Sequence, residues 1–338
     1  MGIPYIEAEG SNYDIGFAIG RKLKLKIKEL IAMEEGNYKK GSGKTLSYHS
    51  SRIDDIINES KNHFPSYVEE LLGMAKGAEA DFNVLFALGC EDELIYNCTS
   101  VAGFSKKDII LGHNEDWLRD HLDSLYVCRI RQKNGPDSIS LSYAGHLPGF
   151  STGLNSEGCS YTCNSINAKG TNRRGLPWQF LLRACLDSGK YSDLIKIASL
   201  ENKMIGGNSL IALKGRIFDL EMLPKGYAVI EGGKYMAHTN HILDEGIKPQ
   251  EKYRAEDSVW RLERANEHLE SNEFSFDLVK KILSDHKYRP FSICCHEFEE
   301  EGGNPYSTMA SVIINTGRKE FYVAHGNPCK SEYVKYTL

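Results

Sequence analysis

The chain has 338 residues, of which 26% are charged, and its formal net charge is -5 at pH 7. Its lysines and arginines are scattered along the chain and form no basic block. This distribution argues against a protein that binds nucleic acid or an anionic membrane. No stretch reaches the roughly 20 apolar residues that cross a bilayer, and the N-terminus lacks the pattern of a secretory signal, so we expect a cytoplasmic protein with a small-molecule partner.

The nine cysteines are spaced irregularly along the chain. An odd number of thiols without a repeated spacing favours free cysteines in a reducing compartment over a disulfide framework. A chain of this length can bury a substantial core. Because no low-complexity linker divides it, we expect one domain over residues 1–338.

Helical periodicity dominates the first part of the chain. A serine cap followed by apolar residues at helical spacing predicts a helix over residues 12–34. The same spacing returns over residues 52–76, where Pro65 either begins a second helix or kinks the first. A third helix is expected over residues 82–95.

Strand patterns begin after residue 98. Short β-rich runs alternate with period 2 and are separated by turn sequences such as Asn134-Gly135. The predicted strands cover residues 109–113, 126–131, 138–143, 159–164, 209–213, 217–222, 308–315 and 320–324. The predicted helices among them cover residues 177–199 (broken near 188–189), 257–270 and 275–285. This order indicates an α+β fold with two antiparallel sheets covered by helices.

Cys98, in the run Asn97-Cys98-Thr99-Ser100, lies where helical patterning stops and strand patterning begins. A small buried hydrophobe is the ordinary interpretation of a free cysteine. At this boundary, however, the thiol could attack the carbonyl of Asn97, and hydrolysis of the thioester would free a chain that begins with cysteine. Its α-amino group, with a reference pKa of about 8, would then act as the base for the thiol.

Six segments carry a family resemblance by their order and spacing: residues 9–20, 73–79, 98–99, 112–117, 238–241 and 290–294. Together they resemble the acyl-coenzyme A:6-aminopenicillanic acid acyltransferase family, peptidase family C45 of the N-terminal-nucleophile (Ntn) hydrolases. The resemblance implies a four-layer αββα sandwich and self-cleavage between Asn97 and Cys98, giving a helical segment 1–97 and a catalytic chain 98–338. Relatives commonly carry Gly before the nucleophile, and Asn is one of the few other residues that tolerate positive φ.

Asp116 and Asn114 lie in the polar run 112–117. An isolated aspartate in such a run is usually part of a solvated turn. The resemblance implies instead that Asp116 is a catalytic and substrate-binding residue, whose carboxylate holds the new α-amino group or an amine of the substrate. Asn114 is a second candidate for substrate binding. Glu115, between them on a strand, is expected to point outward and to be structural.

The run His238-Thr-Asn-His241 allows two interpretations. Two histidines three positions apart could bind a metal on a helix, but residues 235–237 read as a strand, which sends the two side chains to opposite faces. The resemblance implies that the Asn240 amide donates a hydrogen bond to the oxyanion of the tetrahedral intermediate. Asn240 thereby joins Cys98 as a candidate catalytic residue.

The run Cys294-Cys295-His296 departs from the family pattern. Relatives often carry Arg where Cys295 stands, so a site that needs a cation would recruit another group, with Arg289 and His296 as candidates. Adjacent side chains on a strand diverge, which argues against metal binding by this run. We therefore interpret Cys294 as a buried thiol and expect no metal and no cofactor.

The residues alone do not decide between hydrolysis and acyl transfer. We expect an amidohydrolase that acts on a linear amide C–N bond of an N-acyl amino acid or peptide-like substrate through an acyl-enzyme thioester. The alternatives are an acyltransferase that moves an acyl group from coenzyme A or an N-acyl donor to an amine, and an unprocessed binding protein of the same fold. The expected partners are this small molecule and the protein's own N-terminal fragment; homo-oligomers are left open.

Overall fold

The computed structural model describes residues 2–42, 50–90, 97–297 and 305–338. Within these residues, five α-helices precede Asn97 and four follow it. The helices are α1 (Asn12–Lys22), α2 (Lys24–Ser42), α3 (Ser50–His63), α4 (Pro65–Ala78), α5 (Phe82–Leu88), α6 (Trp178–Asp187), α7 (Tyr191–Ser199), α8 (Glu256–Ser271) and α9 (Phe276–Leu283). None of these helices combines the length and the apolar character needed to cross a bilayer.

The strands of the described residues form two sheets. Sheet A has the order β1-β4-β5-β6-β7-β8-β9-β10, with β1 (Tyr5–Gly10), β4 (Leu125–Gln132), β5 (Ser138–Tyr143), β6 (Thr152–Asn155), β7 (Cys159–Ile166), β8 (Gly206–Leu213), β9 (Arg216–Met222) and β10 (Tyr227–Glu231). Sheet B has the order β11-β2-β3-β12-β13-β14, with β2 (Thr99–Ser105), β3 (Asp108–Leu118), β11 (Tyr235–His238), β12 (Tyr306–Asn315), β13 (Glu320–His325) and β14 (Val334–Thr337).

The two sheets pack face to face, because β2 and β3 of sheet B contact β7 of sheet A. Helices α6 and α7 contact sheet A, and α8 and α9 contact sheet B on its other side. This order of layers confirms the α+β class and the αββα sandwich. Because sheet A is covered on both faces, β5, β7 and β8 are buried at every residue.

The helix predicted over residues 12–34 is wrong as a single element, because α1 and α2 are separated at Leu23. Leu23 is buried like the apolar residues on either side, so periodicity alone does not reveal the break. The helix predicted over residues 82–95 begins as expected and ends at Leu88. Residues 91–95 of that prediction lie outside the described residues.

The other predicted elements lie where their patterns place them. Pro65 begins α4 and so separates it from α3, and the predicted break near residues 188–189 divides α6 from α7. Strands β1, β2, β6, β10 and β14 were not predicted. In β2 the run Thr99–Ser105 is composed mostly of small residues, which gives little alternation to detect.

Helices α1 and α4 approach closely through glycines. The glycines are Gly16 and Gly20 in α1 and Gly73 and Gly77 in α4. A Cβ added to the first of these would lie 1.8 Å from the main-chain oxygen of Glu70, and one added to Gly73 would lie 2.2 Å from that of Tyr13. The contact is therefore backbone against backbone, and only hydrogen fits at these positions.

We expect Gly16→Ala to destabilise the fold by about 1–3 kcal/mol, because the methyl group would displace the α4 backbone. Gly36→Ala in α2 is the matched control, since a Cβ there meets nothing within 4 Å, and it should stabilise the helix by about 0.5–1 kcal/mol. Urea unfolding of both variants measures the difference. Equal free energies of unfolding would contradict the close helix contact.

The helical segment before Asn97 is held to the sandwich by strand pairing and by buried polar contacts. Its β1 is the edge strand of sheet A and pairs in parallel with β4. In α4, the buried Glu70 carboxylate lies 3.2 Å from the buried guanidinium of Arg183 in α6, and Asn12 donates to the same carboxylate at 2.7 Å. Residues on both sides of Asn97 and Cys98 belong to one hydrophobic core.

Candidate active site

Cys98 lies at the entry to β2, beside the pairing of β2 with β3. Thr99 is opposite Asn114, and the Cys98 Sγ lies 3.9 Å from the main-chain oxygen of Asp116. Cys98 is buried, with 2% of its surface exposed, whereas Asn97 is half-buried. The predicted nucleophile therefore lies against the main chain of Asp116.

Burial raises the pKa of the Cys98 thiol well above its usual range, and the Glu115 carboxylate raises that pKa further. The thiol of the uncut chain is therefore protonated at neutral pH. Because the thiolate is the reactive form of cysteine, this sulfur needs a nearby base before it can react.

The expectation that Glu115 points outward is wrong. Its carboxylate lies between the sheets, where it accepts hydrogen bonds from the Tyr143 hydroxyl at 3.1 Å and from Ser151. The same carboxylate lies 3.0 Å from the Nε2 of His113. Helices cover one face of β3 and sheet A covers the other. The side chains on both faces of this strand are therefore buried, and none of the alternating positions faces solvent. Ligand atoms of Cys98, His113 and Glu115 lie within 4.8 Å of one another.

A chain of buried polar contacts runs from Glu115 across the space between the sheets toward the segment that carries Asn240. Its successive members are His113, Ser100, Asn164, Asn208, Asp219 and His238. Burial lowers the pKa of His238, but the carboxylates of Asp219 and Glu221 more than offset this and raise it to about 9. Hydrogen bonds join the members from Glu115 to Asp219, and the last contact, between Asp219 Oδ2 and His238 Nε2, is longer at 3.7 Å.

Asn114 projects from the other face of β3, toward α9. Its Nδ2 donates to the main-chain oxygens of Leu283 and Ile293, each at 2.8 Å. Both N–H groups of the amide thus hold the ends of the segment that follows α9. Asn114 therefore positions the main chain at Leu283 and Ile293. Both of its N–H groups are used, so neither is free to donate to a substrate.

Asp116 projects from the same face of β3 as Asn114, because the two residues are two positions apart on a strand. Neither oxygen of its buried carboxylate has a well-formed hydrogen bond within the described residues. Burial raises the pKa of Asp116 well above its usual range, while the Thr308 hydroxyl and the Arg261 guanidinium favour the charged form. A buried carboxylate with so few partners is suited to accept an ammonium group.

Arg261 of α8 supplies a buried cation that no sequence pattern identifies. Its Nη1 donates to the main-chain oxygen of Cys98 at 2.6 Å and to Thr99 Oγ1 at 3.0 Å. Its Nη2 donates to Asn240 Oδ1 at 3.0 Å and to Asp257 Oδ2 at 3.1 Å. One guanidinium therefore joins Cys98 to Asn240.

Arg261, and neither of the sequence candidates Arg289 and His296, is the cation that donates to the main-chain oxygen of Cys98. Arg289 is exposed, and His296 belongs to a separate cluster with a second histidine. Cys295 is buried, and its N–H donates to Thr308 Oγ1 at 3.0 Å. The cation next to the nucleophile thus comes from α8 and not from the segment before β12.

The contact with Arg261 fixes the orientation of the Asn240 amide. A guanidinium only donates hydrogen bonds, so the amide oxygen faces Arg261 and Nδ2 faces Ser165. The Nδ2 lies 3.1 Å from the main-chain oxygen of Ser165 and 3.4 Å from its hydroxyl. The second contact is long, so one N–H of Asn240 has a weak partner that an oxyanion could replace.

His238 and His241, which flank Asn240, have separate partners. His238 ends β11, as the strand pattern predicts, and its Nε2 lies 2.9 Å from Glu221 Oε1. The Nδ1 of His241 lies 2.8 Å from Ser258 Oγ, which also accepts from the Asn240 N–H at 2.8 Å. The two histidines therefore shape the segment around Asn240.

A sequence model of the family "Acyl-coenzyme A:6-aminopenicillanic acid acyl-transferase" matches residues 104–329, more than half of the chain. The chain belongs to this family. The matched segment begins after Cys98 and contains Asp116, Asn240 and Arg261. As a family member, the protein is an enzyme of the amidohydrolase and acyltransferase class.

Two curated relatives of this acyltransferase-family protein match different shares of its chain. The 40 kDa form of acyl-coenzyme A:6-aminopenicillanic-acid-acyltransferase from Emericella nidulans is 26% identical over 339 residues, which cover 96% of this chain and 93% of the relative. The beta-alanyl-dopamine/carcinine hydrolase of Drosophila melanogaster is 30% identical over 224 residues, 58% of this chain and 57% of the relative.

Among solved structures, the family member is similar to the Caenorhabditis elegans ortholog of N-acylethanolamine-hydrolyzing acid amidase, with 15% identity and a TM-score of 0.48. The match covers 65% of this chain and 93% of that chain. A variant of conjugated bile acid hydrolase from Clostridium perfringens matches with 10% identity and a TM-score of 0.46, over 71% of this chain and 97% of that chain.

Two residues at the candidate site have no distinguishing sequence signal. Arg261 forms an ordinary four-residue helix pair with Asp257, a pattern that usually marks a solvated helix face. Glu115 looks structural because alternation along its strand predicts that one face meets solvent. Both become recognisable only when the packing of α8 on β2 and of sheet A on β3 is known.

Proposed function

We propose that this protein cuts its own chain between Asn97 and Cys98 and then hydrolyses N-acyl amides through a thioester on Cys98. The observation that supports this most directly is the Arg261 guanidinium, which holds the main-chain oxygen of Cys98 and the side-chain oxygen of Asn240 at once. A nucleophile and an oxyanion donor fixed to one rigid group have the geometry that acyl transfer needs.

The cut proceeds by an acyl shift. The Cys98 sulfur bonds to the carbonyl carbon of Asn97, the peptide C–N bond breaks, and the proton lost by the thiol goes to the departing nitrogen. Water then hydrolyses the thioester, which leaves a carboxylate on Asn97 and restores the thiol. In the uncut chain the ligand atoms of His113 and Glu115 lie within 4.8 Å of the sulfur, and after the cut the freed α-amino group serves as the base for turnover.

Turnover uses the same sulfur with an external carbonyl. The α-amino group takes the thiol proton as sulfur bonds to the substrate carbon, and Asn240 donates to the resulting oxyanion. The oxyanion collapses, the amide C–N bond breaks, and the leaving amine takes the proton back from the ammonium. Water cleaves the thioester and releases the acid.

The two fragments remain together in this proposal. Residues 1–97 provide β1, the edge strand of sheet A, and the buried Glu70 that binds Arg183 of the other fragment. Breaking one peptide bond removes none of these contacts. The mature protein is therefore a tight pair of chains, 1–97 and 98–338, within one domain.

The substrate class follows from the groups around Cys98. The Asp116 carboxylate, buried and short of partners, would bind an amine, either the new α-amino group or an ammonium on the substrate. The Drosophila relative is named for β-alanyl-dopamine and carcinine, and a β-alanyl group carries such an amine. N-acyl amino acids and β-alanyl amides are thus the first substrates to test.

We expect purified protein to separate under denaturing conditions into fragments 1–97 and 98–338 and to co-elute as one species when native. Intact-mass measurement after incubation with N-acyl amino acids and β-alanyl amides should show an acyl group on the 98–338 fragment. A chain that stays uncut, with Cys98 slow toward thiol reagents, would instead indicate an unprocessed binding protein.

Acyl transfer is the second candidate, because the family and its Emericella relative are named for it. In that case the thioester on Cys98 is attacked by an amine instead of water. Supplying an acyl-coenzyme A together with an amine distinguishes the two reactions. A new amide product that outpaces free acid would favour the transferase, and free acid alone would favour the hydrolase.

A further inference from the structure

Four metal-ligating side chains converge outside the candidate active site. Their ligand atoms all lie within 4.8 Å of one another. The residues are His286, Cys294, His296 and Cys329. We infer that they form a structural zinc site of the Cys₂His₂ type, which does not depend on the proposed cut at Cys98.

The distances within this cluster fit a tetrahedron around one ion. With Zn–S near 2.3 Å and Zn–N near 2.0–2.1 Å, ideal edges are about 3.7 Å between sulfurs, about 3.3 Å between nitrogens and about 3.5 Å for mixed pairs. The observed separations are 3.6 Å between Cys294 and Cys329 Sγ and 3.1 Å between the Nε2 atoms of His286 and His296. The His296 Nε2 lies 3.8 Å and 3.3 Å from the two sulfurs.

The ligand chemistry favours zinc. Two thiolates neutralise a divalent cation, and a set of two sulfurs and two imidazoles in tetrahedral order selects zinc over magnesium or calcium. Asn327 places its Nδ2 3.5 Å from Cys294 Sγ and donates to the main-chain oxygen of Cys295 at 2.7 Å. Such a second layer of hydrogen bonds orients thiolate ligands.

The four protein ligands fill all four positions of a tetrahedral site, so no position is left for water or a substrate. The ligands come from three segments: His286 follows α9, Cys294 and His296 precede β12, and Cys329 lies between β13 and β14. A metal here would fasten the segment after α9 to the end of sheet B. Its role is therefore structural.

The zinc site adjoins the candidate active site through main chain. Cys295, between two ligands, has its main-chain oxygen 2.9 Å from the N–H of Thr308, which is paired with Asp116 on β3. Asn114 holds the same segment at Ile293. The metal would thus fix the backbone beside the Asp116 carboxylate.

The strand pattern of residues 294–296 predicts no metal site, because adjacent side chains diverge. That argument applies to Cys295, whose sulfur lies near the main-chain oxygen of His296 instead of in the cluster. Cys294 and His296 are two positions apart and turn to the same side. His286 lies 10 residues before His296, and Cys329 lies 35 residues after Cys294, so no short motif reveals the site.

Elemental analysis of the full-length protein, purified under reducing conditions without added metal or chelator, tests the site. We expect stoichiometric zinc in the parent protein and its loss in Cys294→Ser and Cys329→Ser. Cys295→Ser, which removes the neighbouring thiol, is the matched control and should keep the metal. Retention of zinc in both ligand variants, or absence of zinc from the parent, would overturn the inference.

A second measurement needs only the parent protein, and so tests the site even if the cysteine variants fail to fold. The parent protein is stripped with a chelator and titrated with Co²⁺, which should give the thiolate charge-transfer band and the intense visible bands of a tetrahedral sulfur site. Zinc added back should restore the thermal midpoint that the chelator lowers. A weak octahedral cobalt spectrum, or a disulfide between Cys294 and Cys329 in the reduced preparation, would exclude the zinc site.

Discussion

Cys98→Ala should leave the chain uncut and lower turnover of N-acyl amides by at least about 10⁴-fold. The methyl side chain has no nucleophile for the Asn97 carbonyl or for an external one. Denaturing electrophoresis and intact mass report the cut, which needs no substrate, and product release reports turnover. Because the cut is measured without substrate, its loss is detected even if none of the amides tested is a good substrate.

Cys159→Ala is the matched control for Cys98→Ala. Cys159 is equally buried, lies on β7, and has its sulfur 3.8 Å from the main-chain oxygen of Cys185. We expect this variant to be cut and to turn over substrate like the parent. If Cys98→Ala were also cut at Asn97, or kept near-normal turnover, another group would have to be the nucleophile.

Cys98→Ser refines the first result. A serine hydroxyl can still perform the acyl shift onto the Asn97 carbonyl, so a slow cut is expected. Turnover should fall further than cutting, because a hydroxyl is a poorer nucleophile toward an unstrained amide than a thiol is. Parallel loss of both rates would indicate that the same step limits processing and catalysis.

The fold class was predictable because the patterns before and after Cys98 differ. Period-2 runs such as Ser138–Tyr143 gave strand bounds that match β5. Local patterns could not supply β1, which is an edge strand paired with a sequence more than a hundred residues away. The break between α1 and α2 at Leu23 was also not predictable, because the apolar residues on both sides of it keep the same helical spacing.

The candidate site was predictable where one short run carries the chemistry, as at Cys98 and Asn240. Its supporting groups were not, because they are recognised by burial and long-range contact. Arg261 is 163 residues from Cys98 in sequence, yet donates to its main-chain oxygen. The zinc ligands show the same limit: Cys294 and Cys329 are 35 residues apart and meet only through the turn between β13 and β14.

Asn240→Ala should allow the cut at Cys98 but lower kcat for N-acyl amides by about 10²–10³-fold, equivalent to about 2.7–4 kcal/mol. The amide donates to charge that develops only in the tetrahedral intermediate, so KM should change little. Mass spectrometry confirms that the chain is processed. Steady-state kinetics on the best substrate of the amide panel then gives the separate changes in kcat and KM.

Two further variants decide whether the Asn240 effect is donation to the oxyanion. Asn240→Asp keeps the size of the side chain and an oxygen for Arg261 but removes the N–H donors, so it should lose kcat as severely as Asn240→Ala. Asn83→Ala removes a half-buried amide that donates to Asp54 Oδ1 at 3.3 Å and should leave kcat unchanged. Near-parental kcat in Asn240→Asp would mean that Asn240 acts by packing against Arg261, and the oxyanion donor would have to be sought among the main-chain N–H groups around Cys98.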